Sequence, residues 1–514
     1  MKSFGKSLST AMMLTIIPQV VPADVVTVSS KDNAVSITGE LLSFDDDTVT
    51  LSTEIGELRL DRASINCEGA ACPRAVTGFS MQVAVTDPTL TPLLQFMMDD
   101  FARSKGLVAV SVPDSEGGLD RIEILAEEGS ALDVMPYGPA DGFAALIEGR
   151  VDLALTSNAV PAAMADGYAA SGKTDLRDPR RERVIALDAI VPVVHPSNTI
   201  RSLTIEEIAL IAAGRIANWA ELGGDDAPIR MILPAEGSAL DITLSELVLE
   251  PNRIRLRRSA ERSADGQAAL AAVKEDPNAI TITGMSETAG TNAVPIRQVC
   301  GPLAHATDFT VKAEEYPLSH RILGYTGADA YQGNEGEFLS YMVSPEAQGL
   351  ITKAGLVDQT IVAKPVGEQG TRMTSAILTA GNGTGLGLVQ DFTRDLATAD
   401  RLSTTFRFTS GSVRLDTKSL DDVERMVDFL ISPEARLREI LIIGFTDDVG
   451  RFDLNTRLAL QRATNVRDAL LSATGGDTLA GRVQVSSYGP LAPVGCNETA
   501  EGRDSNRRVE IWLR

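Results

Sequence analysis

From Met81 onward the chain repeats one pattern: a short apolar stretch, a polar turn, then apolar residues three or four apart. Met81-Gln-Val-Ala-Val runs into Thr86-Asp87-Pro88-Thr89 and then a helical stripe through Leu93, Leu94, Phe96, Met97 and Phe101. Further units follow in the same order. They are a strand at Arg121 to Leu125, a helix from Gly142 to Glu148 leading into the strand Val151 to Leu155, and a strand from Val184 to Val194. Last come Ile229 to Leu233, the Gly237-Ser238 turn and a helix through Leu249. Strands of period two alternating with helices of period 3.6 predict a mixed α/β architecture and exclude an all-β or all-helical chain.

Length and charge narrow the class. At 514 residues the chain exceeds what one core can organise, so several domains are expected. Hydrophobic residues at 44% and charged residues at 23% supply those cores without a multi-span membrane pattern. A formal net charge of −23 repels nucleic acid and anionic headgroups, so no nucleic-acid partner is expected. The 3 histidines, His195, His305 and His320, stand far apart, and no helix-borne zinc pattern exists; no metal or cofactor is expected. Nor is there a Gly-x-Ser-x-Gly elbow or a base placed beside a nucleophile, so catalysis is not expected.

The flanks read differently. Lys2 and Lys6 precede the apolar run Ala11 to Ile17, and Val21-Pro22-Ala23 offers a small-residue cleavage site: residues 1–23 are expected to be an export signal. Pro18 and Gln19 end the run too early for a membrane anchor. Residues 24–77 show short alternating stretches at Val35 to Thr38, Thr48 to Leu51 and Glu57 to Leu60, a small β module. Cys67 and Cys72 enclose a short Gly-containing loop there, and in an oxidising compartment they are expected to form a local disulfide. Cys300 and Cys496 can pair or not; spacing alone does not decide. Residues 78–365 hold the long α/β region, 366–400 read as a connector with some helix around Ala380 to Gly385, and 401–514 as a second, smaller α/β domain. In that last region Phe406 to Arg414, Glu439 to Gly444, Val483 to Tyr488 and Val509 to Leu513 read as strands. Leu420 to Ile431 and Asn455 to Leu471 read as helices.

In an α/β protein the turn that leaves a strand and opens a helix aims backbone N–H groups at one spot, where the helix dipole favours an anion. Three such turns are rich in hydroxyls: Thr86 to Leu90, Thr156-Ser157-Asn158 and Glu236-Gly237-Ser238. From Phe79 to Lys364 the chain resembles periplasmic phosphate-binding proteins of ABC transporters, which have a two-lobed type-2 solute-binding fold. The resemblance is carried by Ile185-Ala-Leu-Asp-Ala-Ile-Val-Pro-Val-Val-His-Pro-Ser-Asn198, Gly214-Arg-Ile-Ala-Asn-Trp-Ala-Glu-Leu-Gly-Gly224, Tyr316-Pro-Leu-Ser-His-Arg321 and Glu337-Phe-Leu-Ser-Tyr-Met-Val-Ser-Pro-Glu-Ala-Gln348. It implies an oxyanion such as phosphate held between the lobes by Thr86, Asp87, Thr89, Leu90, Thr156, Ser157, Glu236, Gly237 and Ser238, and an ABC transporter permease as partner. The chain departs from the family at Pro234-Ala235 and Asn158, where relatives carry Arg, and at Leu240, where they carry Thr. A guanidinium fork is among the strongest oxyanion ligands, and it is missing here.

Leu402 to Arg514 resembles the OmpA-like peptidoglycan-binding domain through Ile443-Gly-Phe-Thr-Asp-Asp-Val-Gly450, Asn455-Thr-Arg-Leu-Ala-Leu-Gln-Arg-Ala463, Tyr488-Gly489 and Glu501-Gly-Arg-Asp-Ser-Asn-Arg-Arg-Val-Glu510. That resemblance implies a clamp for the diaminopimelate group of the stem peptide, made by Asp447 and Arg462 with Thr446, Asn455, Leu458 and Arg507 around it. One acidic and one guanidinium partner read an ammonium and a carboxylate. Phe445 and Ala459 replace the family's usual His and Ser. Two readings follow: a periplasmic solute-binding protein tethered to the cell wall or outer membrane through peptidoglycan, or an envelope scaffold or sensor whose solute-binding fold no longer takes phosphate.

Overall fold

The computed structural model describes residues 25–30, 35–44, 48–53, 56–61, 64–68, 79–113, 119–125, 130–257, 259–379, 385–408, 415–475 and 477–514. It divides into two units, residues 1–77 and 78–514.

The first unit is a five-stranded antiparallel sheet of β1 (Val25–Ser30), β2 (Ser36–Phe44), β3 (Thr48–Thr53), β4 (Gly56–Asp61) and β5 (Ile65–Glu68), in the order β4-β3-β2-β1-β5. Alternation turns Val26, Val28, Val49 and Leu51 to one face, where they form a small core. Cys67 lies in β5; its expected partner Cys72 lies outside the described residues, as does the expected export signal.

The second unit opens with β6 (Ser80–Val85), α1 (Thr91–Ser104), β7 (Val108–Pro113), β8 (Leu119–Leu125), β9 (Ala131–Pro136), α2 (Pro139–Ile147), β10 (Leu153–Thr156) and α3 (Ala162–Ala170). Pro92 sits in the first turn of α1, where a missing N–H goes unnoticed, and Leu93, Leu94, Met97, Met98 and Phe101 bury its apolar face. The long strand β11 (Glu182–Val194) then leaves this lobe for a second one. That lobe holds α4 (Ile205–Ala212), β12 (Arg230–Ile232), α5 (Ala239–Leu244), α6 (Gly266–Glu275), β13 (Ala279–Gly284), β14 (Asn292–Ala293), β15 (Ile296–Arg297), β16 (Leu303–Ala304) and α7 (Asp308–Lys312). Thr204 and Glu207 close α4 with a reciprocal capping box. The chain returns through β17 (Ser319–Thr326) to α8 (Gly333–Tyr341) and α9 (Gln348–Lys353).

One sheet runs through both lobes in the order β12-β13-β11-β17-β10-β6-β9-β8-β7, with β14 added on β11. The two central strands are the hinge: the first half of β11 pairs antiparallel with β17, and its second half pairs with β13. The register places Asp188 opposite His320 where the pairing changes hands.

The last part contains β18 (Ala363–Pro365), α10 (Gly370–Thr379), α11 (Gly385–Leu396), β19 (Asp400–Arg407), α12 (Thr417–Ile431), β20 (Ile440–Phe445), α13 (Phe452–Ala473), α14 (Asp477–Ala480), β21 (Val483–Gly489), α15 (Ala500–Asn506) and β22 (Arg508–Leu513). Its sheet has the order β18-β19-β22-β20-β21, with β20 and β21 parallel. On α13 Ala459, Ala463, Val466 and Leu470 form the buried stripe that the sequence predicts. The stretch expected as a connector packs onto this sheet: Val389, Phe392 and Leu396 of α11 meet Ile443, Phe445, Tyr488 and Trp512. Of the strand expected at Phe406 to Arg414, β19 starts earlier, at Asp400, and residues 409–414 lie outside the described residues.

This C-terminal part is built onto the hinge. Arg321 of β17 donates to Glu314 at 2.7 Å and to Asp416 at 2.9 Å, and Arg401 binds Glu315 through both terminal nitrogens. Arg407 donates to the Ala313 carbonyl at 2.8 Å. Cys300 and Cys496, left open by the sequence, form a disulfide with Cα atoms 5.7 Å apart. Burial opposes ionisation of Glu314, yet Arg321, Lys418 and Arg407 hold its carboxyl far below the usual range.

Candidate functional site

β6 and β10 are parallel neighbours, so the turns that leave their C-terminal ends meet at the gap between the lobes. Asp87 anchors the meeting. Its Oδ1 accepts from the Thr89 N–H at 3.0 Å and the Thr89 hydroxyl at 2.7 Å, and its Oδ2 from the Ser157 hydroxyl at 2.5 Å. Thr86 and Thr156 are buried behind them, and the Thr156 hydroxyl donates to the Asn158 carbonyl at 3.2 Å. Asn158 Nδ2 reaches Thr243 Oγ1 of α5 at 3.0 Å, a bond from one lobe to the other. Leu90 is fully buried, and its N–H closes the turn onto the Asp87 carbonyl at 2.9 Å.

The third turn faces them from the second lobe. Gly237, at φ +75°, adopts the left-handed conformation that glycine tolerates, and its N–H donates to Asp241 Oδ2 at 3.0 Å. Ser238 caps α5, accepting from Asp241 N–H at 3.2 Å, and Glu236 is exposed. The nearby cation, Arg262, is held by Asp241 Oδ1 at 2.8 Å and by the Pro234 carbonyl at 2.7 Å.

Two hinge residues that the turn analysis missed lie near enough to Asp87 to feel its charge. Asp188 and His320 are half-buried side chains whose Oδ1 and Nδ1 atoms are fully buried without a hydrogen-bond partner. Burial pushes the Asp188 carboxyl up to about 7, N–H bonds from Ala189 and Met285 oppose this, and the charges of Asp87 and Glu287 add to it. Burial pushes His320 down to about 4 against the pull of Asp87. Gly284 leaves room for the Asp188 carboxylate: a Cβ there would stand 3.2 Å from its Oδ2. One signal was available in the sequence, since Asp188 is the lone charge in the apolar run Ile185 to Val194.

A second cluster lies where β20 meets α13. Gly444 permits the contact, because a Cβ there would overlap the Ala459 carbonyl. Asn455 Nδ2 donates to the carbonyls of Asp447 at 3.2 Å and Val449 at 3.1 Å, which shapes the loop after β20. Asp447 accepts from the Val449 N–H at 3.1 Å and from Arg507 Nη1 at 2.8 Å. Arg462 is fully buried, its guanidinium 5.2 Å from the centre of the Phe408 ring. Burial and the charge of Arg507 push it down to about 10, while Asp447 acts in the opposite direction. Thr446 Oγ1 is buried without a hydrogen-bond partner, and Leu458 is half-buried one helical turn before Arg462. Asn506 holds the Val494-Gly495 backbone, and Arg503 donates to the Asn497 carbonyl.

A two-lobed sheet crossed by its hinge strands is joined to a small α/β domain with an Asp-Arg cluster. The family model described as the PBP superfamily domain matches residues 81–346, and that of the OmpA family matches residues 407–507. The chain belongs to the PBP superfamily and carries a C-terminal OmpA domain. The phosphate-binding protein PstS of Borreliella burgdorferi is 22% identical over 192 residues, 36% of this chain and 68% of that protein. The peptidoglycan-binding protein ArfA of Mycobacterium bovis is 40% identical over 80 residues, 15% of this chain and 22% of that protein. Among solved structures, an ABC-type phosphate transport receptor from Vibrio cholerae is 18% identical with a TM-score of 0.42, covering 54% of this chain and 98% of that one. The chain spans about a third of the length of the first curated relatives it matches. Such relatives are solute-binding proteins and OmpA-like proteins, not enzymes. Among the described residues no helix is long and apolar enough to cross a membrane.

Proposed function

We propose that this protein is an extracytoplasmic solute receptor tethered to peptidoglycan. Residues 78–365 capture a small solute between the lobes, and residues 401–514 hold the chain on the wall through the diaminopimelate stem peptide. The observation that carries the tether is the convergence of Asp447, Arg462 and Arg507 beside Thr446 and Asn455. Arg507 comes from a distant part of the chain, and together the cluster offers one carboxylate and two guanidiniums. ArfA, a peptidoglycan-binding protein by name, supports the same reading. Export through residues 1–23 and a location at the wall or outer membrane follow from it.

For the solute, the phosphate-binding relatives and the three shared turns support an oxyanion passed to an ABC transporter. The envelope-scaffold reading has one observation in its favour, the disulfide and ion pairs that fasten the C-terminal domain to the hinge. Sedimentation of the full chain with peptidoglycan sacculi, together with calorimetric titration of candidate solutes, tests both halves. Retention on sacculi with a saturable solute heat is expected. Retention with no solute heat of any chemistry would leave the scaffold reading.

A further inference from the structure

Between α5 and α6 the second lobe carries a row of arginines on its surface. Residues 253–257 alternate with period two: Arg253, Arg255 and Arg257 are exposed, while Ile254 and Leu256 turn inward and pack against the core of the lobe. Arg257 Nη2 donates to the Gly214 carbonyl at 3.4 Å, which brings exposed Arg215, the next residue, to that end of the row.

The row is kept clear of counter-charge. Acidic residues outnumber basic ones 70 to 47, yet among the described residues none of these four guanidiniums forms an ion pair. The carboxylates close by in sequence are engaged elsewhere: Glu261 holds Arg230 at 2.6 Å, Asp241 holds Arg262 at 2.8 Å, and Glu250 accepts from the Ser245 hydroxyl at 3.1 Å. Alternate residues of an extended chain stand about 6.5–7 Å apart, so their like charges repel. Four such charges together, in a chain of net charge −23, make a local field opposite in sign to that of the whole molecule.

We propose that this row is a docking surface for an extended acidic peptide segment of a partner protein, with carboxylates at alternate positions. The spacing carries the choice. Alternate side chains of an extended peptide repeat at the same distance as Arg253, Arg255 and Arg257, so each guanidinium fork meets one carboxylate. Arginine clusters recognise acidic motifs in this way. A lipid surface fits less well: the basic segments that bind it present apolar side chains to the bilayer, and here Ile254 and Leu256 are turned to the core. The net charge of the chain also opposes approach to anionic headgroups. The surface works whether or not the cleft takes a solute.

The test is fluorescence anisotropy of two labelled peptides of equal composition titrated with the full chain, one with Glu and Thr alternating and the other with all its Glu residues in one block. The alternating peptide is expected to bind about tenfold more tightly, since cross-strand ion pairs add only where each carboxylate finds its own partner. Its affinity is expected to fall as salt is raised from about 20 mM to about 150 mM, because exposed pairs are screened. The combined variant Arg253→Gln, Arg255→Gln, Arg257→Gln is expected to lose about tenfold or more, and Arg436→Gln, an exposed arginine of the C-terminal domain, to lose nothing. Circular dichroism melts compare the folding of each variant with wild type. Should the combined variant melt early, Arg255→Gln alone is expected to weaken binding about threefold. Equal affinity for the two peptides, or binding undiminished in these variants, would overturn the proposal. So would capture of the chain by phosphatidylglycerol vesicles, lost in the combined variant, without binding of either peptide.

Discussion

Removing the Cys300–Cys496 bridge is expected to destabilise the whole of residues 78–514 rather than loosen one end. The bridge closes a loop with a sequence separation of 196, running from the second lobe through the return strand, the first lobe's last helices and nearly all of the C-terminal domain. In the chain-entropy description such a loop restricts the unfolded ensemble by about 18 cal/mol/K, or about 5 kcal/mol at 25 °C. The full amount is lost only if the lobes and the C-terminal domain unfold together. Their interface makes that the expected behaviour, since Arg401 is fully buried between Glu315 and Glu510, and Arg321 bridges Glu314 and Asp416. A single charge left there without its partner costs about 3–5 kcal/mol, so a detached domain is costly on both sides. Urea unfolding of the oxidised protein and of the Cys300→Ala, Cys496→Ala variant, followed by tryptophan fluorescence and far-ultraviolet dichroism, measures the difference. Trp219 reports the second lobe and Trp512 the C-terminal domain. A loss of about 5 kcal/mol with coincident probes is expected; two separate transitions that do not move on removal of the bridge would refute the reasoning.

Asp447→Ala is expected to reduce retention on sacculi by about tenfold or more, the scale of a lost charge-assisted hydrogen bond, and to lower the melting temperature as well because it strands the largely buried Arg507; a pull-down titration well below the variant's melting range reads the binding loss. Arg321→Met leaves Glu314 and Asp416 without a bridging cation and is expected to cost about 3–5 kcal/mol in urea unfolding. Both Glu314 and Asp416 have folded-state pKa values below their ordinary ones. Their contribution is complete above the ordinary carboxylate range and is lost as pH falls below it, so wild-type stability measured from pH 6 to pH 3 is expected to drop, and more shallowly in Arg321→Met. Asp188 has the opposite sign. Its raised pKa favours the folded state below about 4 and penalises it as pH rises through about 7, so Asp188→Asn is expected to raise the melting temperature more at pH 8 than at pH 5.

Local pattern carried most of the architecture. The apolar runs at Met81 to Val85, Val184 to Val194 and Glu439 to Gly444 predict strands that the structure contains, because a buried strand is fixed by its own apolar residues. The apolar stripe of α13 is legible for the same reason. What escaped depends on chain-distant geometry. The disulfide joins residues whose proximity follows from how the C-terminal domain docks, and the segment around α11 read as a connector because its partner surface, with Phe445 and Trp512, comes later in the chain. The anion-binding turns were found by residue type, yet their meaning changed with the partners: Ser157 and Thr89 are donors in isolation and become ligands of Asp87 in place.

The hinge strand β17 shows why the two halves of this protein are read together. Side chains alternate across a strand, so adjacent residues face opposite sides of the sheet. His320 feels the cleft carboxylate Asp87, whereas Arg321 grips Asp416 of the C-terminal domain. The same strand pair that must bend when lobes close on a solute therefore carries the ion pair that fixes the domain proposed to hold the wall. Glu182, at the start of β11, repeats the arrangement: it accepts from Tyr325 at 2.7 Å and feels Arg321 within the hinge, and is bonded by Thr417 beyond it. Neighbouring positions on two strands thus join the surroundings of Asp87 to the seat of the C-terminal domain.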